Sequence, residues 1–503
     1  MKPVLPPSVK NWLSLAGAII VLTSLFMIVF LFIVTSIMRN QAVYLGLVTY
    51  ILLPAVMIVG LIFIPIGMLL ETRRERREGG RHEPGWPSID LKEPRYRHAF
   101  FIFVIGTGLF VLLSAVGSYE AFHYTESTRF CGTLCHSVME PEYVAHNNSP
   151  HAQIACAACH VGPGANWYVR SKLSGLYQVY ATAADVYPRP IPTPIKNLRP
   201  ARAVCEQCHW PQKFYGQIFQ QRTHYLSDKD NTPWRIGLNL KIGPPQEALG
   251  LIEGIHWHIN PRVRIDYIAT DNGRQKIPWV RYTNLDSGEV KVFRDKGQSA
   301  NAGALPRGEM RTMDCIDCHN RPSHLYRAPA QFINTAITAG RIPVALPEIK
   351  KIAVQLSLRS YSSAVTARTR IRAGITQFYQ LNYPDLFASQ RALVEKGVTG
   401  VQDEFEQNIF PLMKVSWQAY PDNIGHLYFS GCFRCHNGQH KSDKGETIRR
   451  DCNLCHDISI QGAPGKGLEV ARIGESLAFS HPVDIGNAWQ ETPCTDCHTG
   501  GSP

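Results

Sequence analysis

Phe130-Cys-Gly-Thr-Leu-Cys-His-Ser-Val-Met-Glu-Pro-Glu142 and, shortly after it, Cys156-Ala-Ala-Cys-His160 decide how this chain is read. The second stretch is a Cys-x-x-Cys-His run. Five more follow: Cys205/Cys208/His209, Cys315/Cys318/His319, Cys432/Cys435/His436, Cys452/Cys455/His456 and Cys494/Cys497/His498. The first stretch has the same form with one extra residue, giving Cys131, Cys135 and His136. The seven motifs use all 14 cysteines of the 503-residue chain.

Cys-x-x-Cys-His is the attachment signature of c-type haem. The spacing follows from the chemistry: two thiols add across the vinyl groups on one porphyrin edge, and the next His reaches the iron. Positions i, i+3 and i+4 share a helical face, so a single turn presents all three groups. Zinc ribbons also use Cys-x-x-Cys, but without an obligatory following His. A His after every pair points to seven covalently bound haems c and leaves no thiol for disulfides. The net charge of +12 suggests a nucleic-acid binder until haem is counted. Each haem adds about −1 to −2, so seven bring the loaded protein near neutrality.

Upstream of the motifs lie three apolar runs, at about 12–37, 41–70 and 99–122. Each exceeds the roughly 20 residues of a spanning helix, and none shows the polar face of a buried soluble helix. The first is too long for a signal-peptide core and has no small-residue cleavage site, so it reads as an uncleaved anchor. The loop at 72–98 carries Arg73, Arg74, Arg76, Arg77, Arg81, Lys92, Arg95 and Arg97, whereas the first turn carries only Arg39. Positive charge marks the cytoplasmic side. The expected location is the bacterial inner membrane, multi-pass, with every haem motif in the periplasm.

The expected fold class is a membrane α-helical anchor of three transmembrane helices, followed by a mostly irregular and α-helical multihaem c-type cytochrome domain with a small antiparallel β insert. The anchor covers 1–125, with its basic loop at 72–98. Haems 1–3 fall in 126–227. Alternating runs at 264–270, 278–283 and 289–294, separated by Asp271-Asn-Gly273 and Asp286-Ser-Gly288, make 228–312 the β-rich insert. Haem 4 lies at 313–330. Residues 331–425 read as helical, as in Glu348-Ile-Lys-Lys-Ile-Ala-Val-Gln-Leu356. Haems 5–7 occupy 426–503.

Sixth ligands are expected from the remaining histidines. Of 19, seven belong to motifs and His82 and His98 fall on the cytoplasmic side. Six of the other ten sit near motifs and are the candidate distal ligands: His151, His224, His324, His426, His440 and His481. His256 and His258, in Ile-His-Trp-His, alternate on an expected strand and would point to opposite faces. Either one, His258 foremost, is a further candidate, but not both for one haem. Met139, three residues past His136, is a candidate thioether ligand of the first iron, with His136 as the alternative.

The stretch at 130–142, followed by Ser149-Pro-His-Ala and Cys156-Ala-Ala-Cys-His-Val-Gly-Pro-Gly-Ala-Asn-Trp167, resembles the first two haem sites of the NapC/NirT/NrfH family of membrane-bound quinol-oxidising cytochromes. Cys315-Ile-Asp-Cys-His-Asn-Arg-Pro-Ser-His324 resembles that family's fourth motif. The resemblance covers about 120–330 apart from the insert. Three spans and seven motifs are similar to the heptahaem inner-membrane cytochromes of metal-respiring bacteria. The resemblance implies a menaquinol site at the membrane surface beside haem 1, Met139 ligation of that haem, and a Lys and an Asp near the quinol, for which Lys172 and Asp185 are the equivalents. The extra residues between Cys131 and Cys135 and between His136 and Met139 depart from the family pattern.

The expected function is menaquinol oxidation, with electrons passed through the haem chain to a periplasmic c-type cytochrome in anaerobic respiration, extending to extracellular metal reduction. Two rivals remain: a non-enzymatic haem subunit of a larger respiratory complex, and a multihaem terminal reductase. Oligomers are compatible with all three; nucleic acid is not a partner in any.

Overall fold

The computed structural model describes residues 11–37, 48, 52–77, 91–134, 136–162, 164–195, 199–295, 297 and 305–501. Arg39, Arg81, His82 and Cys135 lie outside them, as does most of the 41–52 part of the second apolar run. The chain divides into two compact units, 1–136 with 155–157, and 137–154 with 158–503.

The first unit contains α1 (Trp12–Ile37), α2 (Leu53–Arg77) and α3 (Pro94–Glu126). Within them Trp12–Leu31, Leu53–Arg74 and Val104–Glu126 are long and apolar enough to cross a membrane, and most of their apolar side chains face outward. This makes the chain a membrane protein with three candidate spans. α1 and α2 pack through small residues: a Cβ on Gly17 would meet the Gly60 carbonyl at 2.6 Å. Backbones approach this closely only where side chains are absent, the usual device between spanning helices. Ser14 Oγ donates across the same seam to the Ile64 carbonyl at 2.9 Å. After α3, Ser127 caps the next turn by accepting from Phe130 N at 3.1 Å. The helix Thr128–Thr133 begins there and carries Cys131, so the first motif follows the third span almost directly.

The second unit takes in α4 (His136–Asn147) from its second residue and α5 (Ala165–Ala183), then, among the described residues, nine strands in two antiparallel sheets. The strands are β1 (Gln217–Tyr225), β2 (Pro233–Lys241), β3 (Val263–Ile268), β4 (Trp279–Asn284), β5 (Val290–Asp295), β6 (Met310–Thr312), β7 (His440–Ser442), β8 (His456–Ala463) and β9 (Lys466–Val470). One sheet runs β1-β2-β8-β9, the other β6-β3-β4-β5-β7. The expected hairpins are present. β3 pairs with β4 from Ile268↔Trp279, and both Asp271 carboxylate oxygens accept backbone N–H groups, from Gln275 and Lys276, to close the turn. β4 pairs with β5 from Thr283↔Val290, with Gly288 at φ 74°. The sheets reach beyond the insert: β1 precedes it, and β7, β8 and β9 arrive from the C-terminal segment.

The region after the fourth motif is helical. α6 (Pro329–Thr338), α7 (Ile349–Ser357), α8 (Ala364–Asn382) and α9 (Arg391–Asn408) enclose Phe332, Ile333, Ile349, Ala353, Ile371, Ile375, Tyr379, Val398 and Phe405, all essentially inaccessible. Lys350 is also fully buried here, its Nζ donating to the Ala330 carbonyl at 2.6 Å. Desolvation pulls its pKa down to about 7.

Candidate haem sites

Most motifs adopt the single turn their spacing requires. Cys156–His160, Cys315–Cys318 and Cys494–Cys497 are α-helical, and the fifth and sixth motifs open as 3-10 turns. The third motif departs from the expected single helical turn. The helix Ala201–Cys205 ends on its first Cys, and Cys208 lies beyond it in a non-helical turn. The Cys208 N–H donates to the Cys205 carbonyl at 3.1 Å, a tighter closure than the α-helical one, and the Cys208 side chain is exposed. Cys159, Cys432, Cys452 and Cys497 are exposed as well. In the third, fourth, fifth and seventh motifs, the motif His N–H donates to the carbonyl of the first Cys at 2.8–3.0 Å. That bond curls thiols and imidazole toward one side, and it keeps Cys208 beside His209 despite the early helix end.

Consecutive motifs are neighbours. Cys131 and Cys156 are within hydrogen-bonding reach, and that contact lowers the Cys156 thiol to about 6. Cys205 and Cys315 are likewise in reach, lowering the Cys315 thiol to about 7. Cys205 also feels the charge of Cys159, Cys318 that of Cys432 and Cys435, Cys455 that of Cys432, and Cys494 that of Cys452. The third motif makes its neighbour contacts through Cys205, with Cys208 turned to the outside. Within each unit, therefore, a thiol of one motif lies near a thiol of the next in sequence order: Cys131 with Cys156 in the first, and from Cys159 onward to Cys494 in the second.

The histidines are arranged as facing pairs. Ring centres lie 6.2 Å apart for His160 and His324, 6.0 Å for His209 and His151, 6.3 Å for His319 and His256, 5.8 Å for His436 and His258, 6.3 Å for His456 and His426, and 6.1 Å for His498 and His481. Two imidazoles bound at about 2 Å on opposite faces of one iron have ring centres roughly 6 Å apart. The six pairs fit that requirement. A second feature agrees. Nδ1 faces a backbone carbonyl in His151 (Pro322), His256 (Ile242), His258 (Ile255), His324 (Glu142) and His481 (Val483), at 2.8–3.2 Å. A carbonyl accepts from N–H, so the lone pair is left on Nε2, the usual support for a metal-binding imidazole.

Two expected ligands depart from this pattern. His440 is fully buried, with Nε2 donating to the Ile277 carbonyl at 2.7 Å and Nδ1 facing Asn437 Oδ1 at 3.0 Å. Neither nitrogen is left for iron, so His440 leaves the ligand set; its closeness in sequence to His436 came from the β7 strand that carries it. His224 faces Asn334 Nδ2 through Nδ1 at 3.4 Å and packs on Trp234, near His498, whose ring partner is His481. His256 takes a place the sequence did not assign. It and His258 lie on a 3-10 turn, Ile255–Ile259, instead of a strand. His146 is buried, 6.4 Å from His324, with Nε2 lacking a hydrogen-bond partner. Met139 lies on α4, three residues after His136, and is half-buried.

Residues inside the motifs hold them together. Asp317, only 2% exposed, accepts from Tyr267 at 2.7 Å, from Arg311 Nε at 2.8 Å and from Arg274 at 3.2 Å. Its carbonyl accepts from Arg434 Nη2 at 2.6 Å. In both motifs the second variable position of Cys-x-x-Cys carries these contacts, and sequence reasoning passed over it.

Lys172 and Asp185 sit more than two helical turns apart on and beyond α5. Lys172 Nζ lies 4.9 Å above the Tyr168 ring, and Asp185 pairs with Arg189. α5 displays Val169, Leu173, Leu176, Tyr177 and Tyr180 to the outside. Positions 169, 173, 176 and 180 follow helical spacing and form one apolar stripe.

The profile of the NapC/NirT cytochrome c family, N-terminal region, matches residues 93–190, which hold the third span, the first two motifs and α5. The cytochrome c-type protein ImcH of Geobacter sulfurreducens is 42% identical over 488 residues, covering 97% of this chain and 95% of that protein. The chain belongs to the NapC/NirT cytochrome c family. No solved structure matches it. As a NapC/NirT cytochrome it is a membrane-bound electron-transfer protein carrying covalently attached haem c, and the thiol and imidazole geometry described above suits that group.

Proposed function

We propose that this cytochrome carries seven haems c, oxidises menaquinol at the membrane, and delivers the electrons on the periplasmic side to a soluble c-type cytochrome. The ordered adjacency of the thiols supports the reading: within each unit a thiol of one motif lies near one of the next, as a relay through consecutive haems would require. Bound haem c supplies one-electron exchange at its iron.

The chain's own residues do the rest. Cys131/Cys135 and the six later pairs, Cys205/Cys208 among them, hold the macrocycles. His160, His209, His319, His436, His456 and His498 would each ligate one haem iron, and His324, His151, His426 and His481 would be the second ligands at the second, third, sixth and seventh sites. Met139 or His136 completes the first. The apolar stripe of α5 suits a headgroup-level surface, where Tyr and Leu face lipid and Lys and Arg reach water. A quinol releases two protons with its two electrons. Asp185 and, in its neutral amine form, Lys172 are the groups proposed to receive them, and for Asp185 this requires its Arg189 ion pair to open.

The experiment uses the detergent-purified full-length protein. A pyridine haemochrome assay gives seven haem equivalents per chain, and a reduced menaquinol analogue alone then reduces the haems. Full haem content with no reduction by the quinol favours a haem subunit that receives its electrons from another polypeptide. Fewer than seven equivalents sinks the count.

A further inference from the structure

Between the two sheets runs a five-residue 3-10 turn, Ile255–Ile259, with His at its second and fourth positions. In a 3-10 helix successive side chains step by about 120°, so residues two apart diverge widely. Here the divergence has two targets. The His256 ring lies 6.3 Å from that of His319 in the fourth motif, the planes 6° apart. The His258 ring lies 5.8 Å from that of His436 in the fifth motif, the planes 83° apart. Each Nδ1 is spent on a carbonyl at 2.9 Å, which leaves the lone pair of each ring on Nε2.

The turn is clamped. Trp257 stacks on Tyr282 of β4 at 5.7 Å. His256 packs on Phe214 at 4.5 Å. Asn260 Nδ2 donates to the Leu251 carbonyl at 2.8 Å, and Arg202, just before the third motif, donates to the Ile259 carbonyl at 3.3 Å. Gly254 enters the turn at φ 83°, where a Cβ would collide with Gly243. The fourth and fifth motifs are themselves tied by Arg434 and the Asp317 carbonyl.

We propose that this single turn supplies the sixth ligand to two different haems, His256 opposite His319 and His258 opposite His436, so that the β insert bridges the fourth and fifth sites. The proposal rests on the reading of both motifs as haem-bearing. It gives the insert a function: it fixes the two irons relative to each other, at the join between the family-like half of the chain and its C-terminal extension.

The test is electron paramagnetic resonance of the oxidised full-length protein, with haem content measured alongside. Near-parallel imidazole planes split the iron orbitals and give a rhombic low-spin signal; near-perpendicular planes leave them almost degenerate and give a highly anisotropic one. His256→Ala is expected to remove one rhombic component and His258→Ala one highly anisotropic component. Each variant gains a high-spin ferric signal and one equivalent of carbon monoxide binding when reduced, and added imidazole restores the low-spin state. His256→Met is the variant that keeps six ligands; it is expected to show a thioether-to-iron charge-transfer band. Unchanged low-spin signals in both Ala variants, at full haem content, overturn the proposal. A parent protein lacking haem at Cys315/Cys318 or Cys432/Cys435 overturns instead the reading on which it rests.

Discussion

Arg434 Nη2 donates to the Asp317 carbonyl at 2.6 Å, so a variable residue of the fifth motif is bonded to the backbone of the fourth. The same guanidinium donates to the carbonyls of Gly431 at 2.8 Å and Arg274 at 2.9 Å. Arg434 is left only 8% exposed by this arrangement.

Replacing Arg434 with Ala therefore strands buried carbonyls at the join. The expected cost is about 2–4 kcal/mol of stability. Thermal unfolding followed at the Soret band measures it. Haem content is expected to stay at the parent value, since both cysteines remain.

Lys350 gives a pH dependence with a definite sign. Its pKa falls from 10.5 unfolded to about 7 folded, because burial disfavours the ammonium. The unfolded chain then binds the proton more tightly, and stability rises with pH between those values. Lys350→Met is expected to stabilise the protein by on the order of 2–4 kcal/mol at pH 7 and below. The gain shrinks as pH climbs from about 7 and vanishes near 10.5. Denaturant unfolding at pH 6 and pH 10 checks the sign.

His440 and His481 make opposite predictions despite similar places beside motifs. His440→Gln is expected to leave haem coordination as in the parent, because its two ring nitrogens face the Ile277 carbonyl and Asn437. His481→Ala opens one iron and binds one equivalent of carbon monoxide. Difference spectra of the reduced proteins separate the two outcomes.

The apolar stripe of α5 predicts where a charge is costly. The double variant Leu173→Glu, Leu176→Glu places carboxylates where headgroup-level contact is proposed, at about 2–3 kcal/mol each if desolvated. Reduction by a quinol in vesicles is expected to slow at least about tenfold. Chemical reduction by dithionite is expected to be unchanged.

Motif spacing and hydropathy were fully legible in the sequence. The seven motifs are fixed spacings, the three spans are composition, and the β3-β4-β5 meander announces itself through alternation and Asp-Asn-Gly and Asp-Ser-Gly turns. The histidine pairing was not legible, since sequence distance is a poor guide to which ring reaches across a macrocycle. His151 precedes His160 by nine residues yet faces His209, and His160 faces His324 from far along the chain. His440 sits four residues after His436, but β7 turns its ring into the sheet. The Ile-His-Trp-His segment reads as a strand because Ile and Trp favour one; Gly254 and the Asn260 bond to Leu251 wind it into a 3-10 turn. Spacing also overstated the third motif, whose helix stops at Cys205 and leaves Cys208 on a separate turn. Asp317 and Arg434 were invisible because only the invariant letters of their motifs were read.

Within each unit the thiols of consecutive motifs adjoin in sequence order, and this has a consequence for throughput. With haems at the motifs as proposed, such an arrangement would be a series circuit. Current through it is set by the slowest single link, and a fault at any interior link stops the flow at the far end while everything upstream still charges. Damage at the fourth or fifth position would therefore trap reducing equivalents on the membrane side.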